Sequence, residues 1–165
     1  MKTKRLVTLS SLIAVAMILS YIESLIPVFI PIPGVKLGLS NIASVFTLYT
    51  LGAPCAICVL LIRVTLSSLL FGSITSFLYS MSGAILSLVA MCLLHRLTSL
   101  SPIGVSTVGG VLHNIGQVAM AALIMDSGAI LLYLPVLFVS GTVAGVVIGI
   151  AGGILAKRLE KILKL

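Results

Sequence analysis

The chain has 165 residues, of which 60% are hydrophobic and only 8% charged, and its mean hydropathy is +1.35. A soluble domain of this length carries about a quarter of its residues as charges, so water is excluded as the main solvent and lipid is implied. The formal net charge is +7, but Lys2, Lys4 and Arg5 open the chain and Lys157, Arg158, Lys161 and Lys164 close it, beside apolar runs. That pattern reads as membrane-flanking anchors rather than a nucleic-acid footprint. The apolar runs do not alternate at period two, which rejects a β-barrel.

Taken in chain order, the first span runs from about Leu6 to Ile26. Its basic start resembles a secretion signal, but no small-x-small cleavage site follows before Glu23 and Pro27, so it is read as a retained helix. Pro27, Pro31, Pro33 and Gly34 then forbid a regular helix from Val28 to Gly38. That apolar, Pro/Gly-rich stretch is expected to fold back as a lid or plug on the outer face, buried by protein. The second span is short, about Leu39 to Leu51, with Ser40 or Asn41 as its cap. The third covers about Pro54 to Leu70, the fourth Ile74 to Leu94, the fifth Ile103 to Met125 and the sixth Ala129 to Ala156.

The expectation is an all-α polytopic membrane protein, a single integral membrane domain over 1–165 with six transmembrane helices. With both termini cytoplasmic, Lys2, Lys4, Arg5, Arg96, Lys157, Arg158, Lys161 and Lys164 fall inside and Lys36 alone outside, a strong positive-inside bias. An odd number of spans would separate the two basic ends.

Small residues mark close helix packing. Gly141, Gly145, Gly149 and Gly153 form a rail on the sixth span, Ser76, Ser80, Ala84 and Ser87 line the fourth, and Ala16, Ser20 and Ser24 line the first. Such rails serve packing within the chain or docking of a partner membrane subunit. Cys55 and Cys58 form a CxxC inside an apolar helix and read, with Cys92, as packing residues.

Intramembrane polar groups are the candidate site, because placing them in lipid is costly. Arg63 lies nine residues from Pro54 and seven from Leu70, at a cost of about 2.5–3.5 kcal/mol on insertion scales. Its expected partner is Glu23 or an anionic substrate. On the fifth span His113, Asn114 and Gln117 stand at i, i+1 and i+4, sharing a broad face beside Gly109, Gly110 and Gly116. They are read as a ligand-binding wall, against the plainer reading of interhelical hydrogen bonds worth about 0.6 kcal/mol each. His113 has proton-carrying capacity; it has no ligand spacing to a second His or Cys, so no metal is expected. Lys36 and Asn41, on a Gly-rich turn before a helix N-terminus, suit an anion. The expected substrate-binding set is thus Glu23, Lys36, Asn41, Arg63, His113, Asn114 and Gln117, with no catalytic residue and no cofactor.

Glu23, the PGVKLGLSN segment (Pro33 to Asn41), Arg63, the Ser82-Gly83 pair and the GGVLHNIGQ segment (Gly109 to Gln117) together resemble the Gx transporter family, also known as heptaprenyl diphosphate synthase component I. That family is similar to the substrate-binding S components of energy-coupling-factor (ECF) transporters. The resemblance implies six helices, an outer-face pocket covered by the first loop, and docking on a shared transmembrane subunit driven by two ATPase subunits, with Ala16 and Ser20 at the docking face. The synthase label conflicts with the residues: prenyl transfer holds diphosphate through Mg²⁺ on clustered aspartates, and this chain has three acidic residues in total. It also lacks a GxxxxGK[ST] loop for ATP. The function expected is therefore a non-enzymatic membrane subunit binding a small anionic vitamin-like or isoprenoid/quinone-precursor molecule. The alternatives are a membrane partner of a polyprenyl diphosphate synthase and a stand-alone proton-coupled carrier, the latter disfavoured by the absence of a three-plus-three repeat.

Overall fold

A computed structural model describes residues 2–26 and 38–163, with side chains described within 3–26 and 38–158. Six α-helices account for almost all of it: α1 (Lys2–Leu25), α2 (Asn41–Thr50), α3 (Ala53–Phe71), α4 (Ile74–Leu97), α5 (Pro102–Ile124) and α6 (Leu134–Leu163), with a 3-10 helix, Gly128–Tyr133, before α6. The expected lid, with Lys36, lies outside the described residues. Five segments are long and apolar enough to cross a membrane: Thr3–Leu25, Ala53–Phe71, Ile74–Leu97, Pro102–Ile124 and Gly128–Arg158. The chain is a multi-pass helical membrane protein.

Local chemistry sets the helix ends. Gly38 and Gly52 bracket α2 at φ of +76° and +85°, a region that residues with a Cβ avoid, so the helix cannot extend either way. Ser73 and Ser101 cap α4 and α5, their hydroxyls accepting from the Ser76 and Gly104 N–H groups at 3.1 and 3.3 Å. The last span departs from the expected single helix. Pro135 has no N–H to donate to the preceding turn, so α6 starts at Leu134 and the residues before it wind as a 3-10 helix.

α2 is the largest departure from expectation. At ten residues it is about 15 Å long, half of a bilayer core about 30 Å thick, and it is not among the five long apolar segments. It is also the most enclosed helix, with every residue from Ala43 to Leu48 buried. α1, α3 and α6 pack around it. Because protein rather than lipid surrounds it, its ends need not reach the headgroups.

Contacts at both ends fix the helix directions. The Arg5 guanidinium donates to the Leu51 carbonyl at 3.0 Å and to Cys55 Sγ at 3.3 Å, joining the starts of α1 and α3. Tyr21 and Phe71 stack at 5.1 Å, joining their ends. α1 and α3 are therefore parallel, and the chain between them returns through α2. Tyr49 meets the His95 ring at 4.5 Å, placing the end of α2 beside the end of α4. Lys4, Arg5, Arg96, Lys157 and Arg158 collect at this end of the bundle, and Glu23 and Asp126 at the other.

α2 to α6 form a closed ring, α2 packing on α3 at one side and α6 at the other, with α1 laid outside against α2 and α3. The core gathers Val45, Leu48, Ala56, Leu60, Val64, Ala84, Leu88, Met91, Val105 and Ile148. The glycine rail on α6 is used within the chain. A Cβ on Gly145 would lie 2.6 Å from Thr107 Cα, and one on Gly149 2.6 Å from Ile103 Cα, so α5 and α6 touch backbone to backbone. Gly116 meets Gly83 of α4 in the same way, at 2.8 Å.

Candidate functional site

The polar residues converge where α1 ends and α2 begins, at the bundle end opposite the basic cluster. A cavity of about 70 Å³ opens there. α1 contributes Ser20, Glu23 and Ser24; the start of α2 contributes Gly38, Ser40 and Asn41. α3 contributes Arg63, Ser67, Ser68 and Phe71, α4 Ser76 and Ser80, and α5 His113. The lining is dominated by hydroxyls, each able to donate and accept.

Arg63 is the centre of this arrangement. Its side chain is 8% exposed and its hydrogen bonds run to α2 rather than to Glu23: Nη1 donates to Ser40 Oγ and Nη2 to Asn41 Oδ1, the latter at 3.1 Å. Ser40 stands at the N-cap position of α2, yet its side chain makes no cap bond. The expected cap is thus diverted: both polar residues that open α2 hold the guanidinium instead. Nε of Arg63 is buried with no hydrogen-bond partner among the described residues. A guanidinium carries five N–H donors in a planar fork, so with one each given to Ser40 and Asn41 Arg63, a lining residue of the cavity, keeps further donors.

Glu23 is buried to the same degree, 8% exposed, and accepts the Gly38 N–H. It therefore ties the end of α1 to the start of α2. Arg63 and Glu23 bring one positive and one negative charge to a single cavity.

The structure divides the residues expected to bind substrate. Glu23, Asn41, Arg63 and His113 line the cavity. Lys36 lies outside the described residues. Asn114 points elsewhere: its amide donates to the Leu137 carbonyl at 2.8 Å and to Ser140 Oγ at 3.3 Å, both on α6. Gln117 is buried against Gly83 of α4, away from the lining, and its Nε2 has no hydrogen-bond partner among the described residues. The wall expected on α5 splits because adjacent helical positions are about 100° apart: His113 turns to the cavity and Asn114 to α6.

The docking pair is also placed inward. Ala16 is fully buried against Ala43 and Val59, and Ser20 lines the cavity with its hydroxyl buried. A partner on α1 would meet its opposite face, where Val7, Val15, Ile18 and Ile22 are exposed.

Ser24, Ser76 and Ser80, expected in packing rails, line the cavity instead, together with Ser67 and Ser68, which stand in no motif. The signal was present: 20 and 24, and 76 and 80, are i,i+4 pairs, each a hydroxyl stripe on one helix face. What linear spacing omits is that these stripes and Arg63 line one cavity.

No curated protein and no solved structure matches the chain. One family model, described as heptaprenyl diphosphate synthase component I, matches residues 12–155, a range that contains every cavity-lining residue named above. The chain therefore belongs to the heptaprenyl diphosphate synthase component I family, the Gx transporter family.

Proposed function

We propose that this protein is a membrane substrate-binding subunit, similar to the S component of an ECF importer, that captures a small molecule with an anionic group through Arg63. One observation carries the reading: a buried guanidinium at a polar cavity, held by Ser40 and Asn41, with Nε unpartnered among the described residues. An unsatisfied buried donor costs about 1–3 kcal/mol, and more when it is charged. A carboxylate or phosphate oxygen would remove that cost, since planar donors suit bidentate anions.

In this reading the chain crosses the cell membrane six times. The parallel α1 and α3 require a return between them, and α2 supplies it. Both termini lie in the cytoplasm, because the basic end of the bundle is the inner one, and the cavity opens outward. The subunit has no ATP loop of its own, so transport draws on a transmembrane subunit and ATPase subunits. We assign it no catalysis: its three acidic residues, Glu23, Asp126 and Glu160, cannot form the aspartate clusters that hold a Mg²⁺-diphosphate.

Two measurements test this. Affinity purification in mild detergent recovers ATPase subunits if the reading holds. Native mass spectrometry of the same preparation finds a bound small molecule that is absent from R63Q. Uptake that persists without any ATPase would sink the importer reading and favour a proton-coupled carrier. The family's name motivates a second reading, a non-catalytic membrane partner of a prenyl diphosphate synthase. It predicts co-purification with that enzyme and no bound small ligand.

A further inference from the structure

We infer that the cavity ligand is a small zwitterion, its anionic group on Arg63 and its ammonium group toward Glu23. This rests on the binding reading above and adds the second charge.

Arg63 and Glu23 are equally buried and line one cavity. Their hydrogen bonds go to uncharged groups: Ser40 and Asn41 for the guanidinium, the Gly38 N–H for the carboxylate. Among the described residues neither charge is matched by a direct ion pair, although Glu23 and Arg63 attract each other electrostatically. A simple anion would neutralise Arg63 but leave Glu23 facing a second negative charge, which disfavours both ionised forms. A simple amine would do the converse at Arg63. A molecule carrying both charges matches each end and leaves the cavity neutral.

Size and lining agree. A water needs about 10–15 Å³ of such space, so a cavity of about 70 Å³ has room for on the order of five water-sized groups. That is the scale of a short amino acid. The serine hydroxyls can accept from an ammonium or donate to a carboxylate, serving both ends of such a ligand.

The test uses the full-length protein in mild detergent and short zwitterions: glycine, alanine, β-alanine, γ-aminobutyrate and glycine betaine. β-Alanine and γ-aminobutyrate are compared with propionate and butyrate, which lack the amine, and with ethylamine and propylamine, which lack the carboxylate. Affinity is read by thermal shift and native mass spectrometry. At least one of these two amino acids is expected to bind tenfold or more tighter than both its acid and its amine. E23Q keeps an oxygen for the Gly38 N–H; it should weaken that zwitterion at least tenfold while leaving the matched acid's affinity unchanged or improved. That opposite response is one that simple misfolding does not produce. R63Q should weaken binding of zwitterion and acid alike about a hundredfold. An acid that binds as tightly as its zwitterion, and is lost in R63Q, overturns the zwitterion and leaves the anion-binding reading standing. No binding by any of these probes overturns the zwitterion as well. Acid binding that survives R63Q overturns both readings.

Discussion

Two regions of this molecule concentrate the small and polar residues of an otherwise apolar chain, and they use them in opposite ways. Along the α5–α6 seam the groups are closed on one another. Gly145 and Gly149 press on α5 backbone, and Asn114 gives its amide to Leu137 and Ser140. At the meeting of α1 to α4 the helices stand apart around a cavity, and a buried guanidinium keeps Nε without a partner among the described residues. A polar residue inside a span is costly in both places. In the seam a neighbouring helix meets the cost; at the cavity part of it is unmet among the described residues, and under the proposed function a ligand would meet it. Intramembrane polarity alone therefore does not mark a site; the proposal rests on polarity left partly unmatched beside a void.

The sharpest way to break this comparison is to overfill the seam. G145L places a branched side chain where a Cβ already falls 2.6 Å from Thr107 Cα. Overpacking of this kind costs about 1–3 kcal/mol or more, and the variant should lose thermal stability in detergent by about 3 kcal/mol. Next in size is R63Q at the cavity. It should lower affinity for the native ligand about a hundredfold, near 2.7 kcal/mol, while the glutamine still reaches toward α2 and the apo-protein's melting point stays close to wild type. N114A should do the reverse: about 0.6–1.7 kcal/mol of stability lost with its interhelical bonds, and ligand affinity unchanged within twofold. S80A is the smallest, a loss of affinity of about threefold read by titration, with no change in stability. Equal effects of N114A and R63Q on ligand binding would erase the distinction between the two regions.

Much of this was legible in the sequence. The long apolar runs locate α1, α3, α4 and α5 to within a few residues, and Arg63 stood out because no nearby residue could take it to the membrane surface. The length of α2 was less legible, since a run of apolar residues does not reveal that Gly38 and Gly52 adopt positive φ. Nor could the sequence say that protein would enclose that helix on several sides. Asn114 and His113 are neighbours in sequence and diverge in space because a helix rotates about 100° per residue; which direction meets a cavity depends on where α6 lies. Ser40 looked like a cap and became a guanidinium partner because Arg63 packs across from it. In each case the local residue type was readable and its tertiary neighbour was not.

The central claim is that the space beside Arg63 is occupied by a ligand when the protein works. An experimental structure of the protein taken from membranes in mild detergent, with no ligand added or removed, tests it most directly. The account predicts non-protein density within hydrogen-bond distance of Arg63 Nε, between it and Glu23. A collapsed space, with Nε bonded to a protein oxygen and Glu23 paired directly with Arg63, would contradict it.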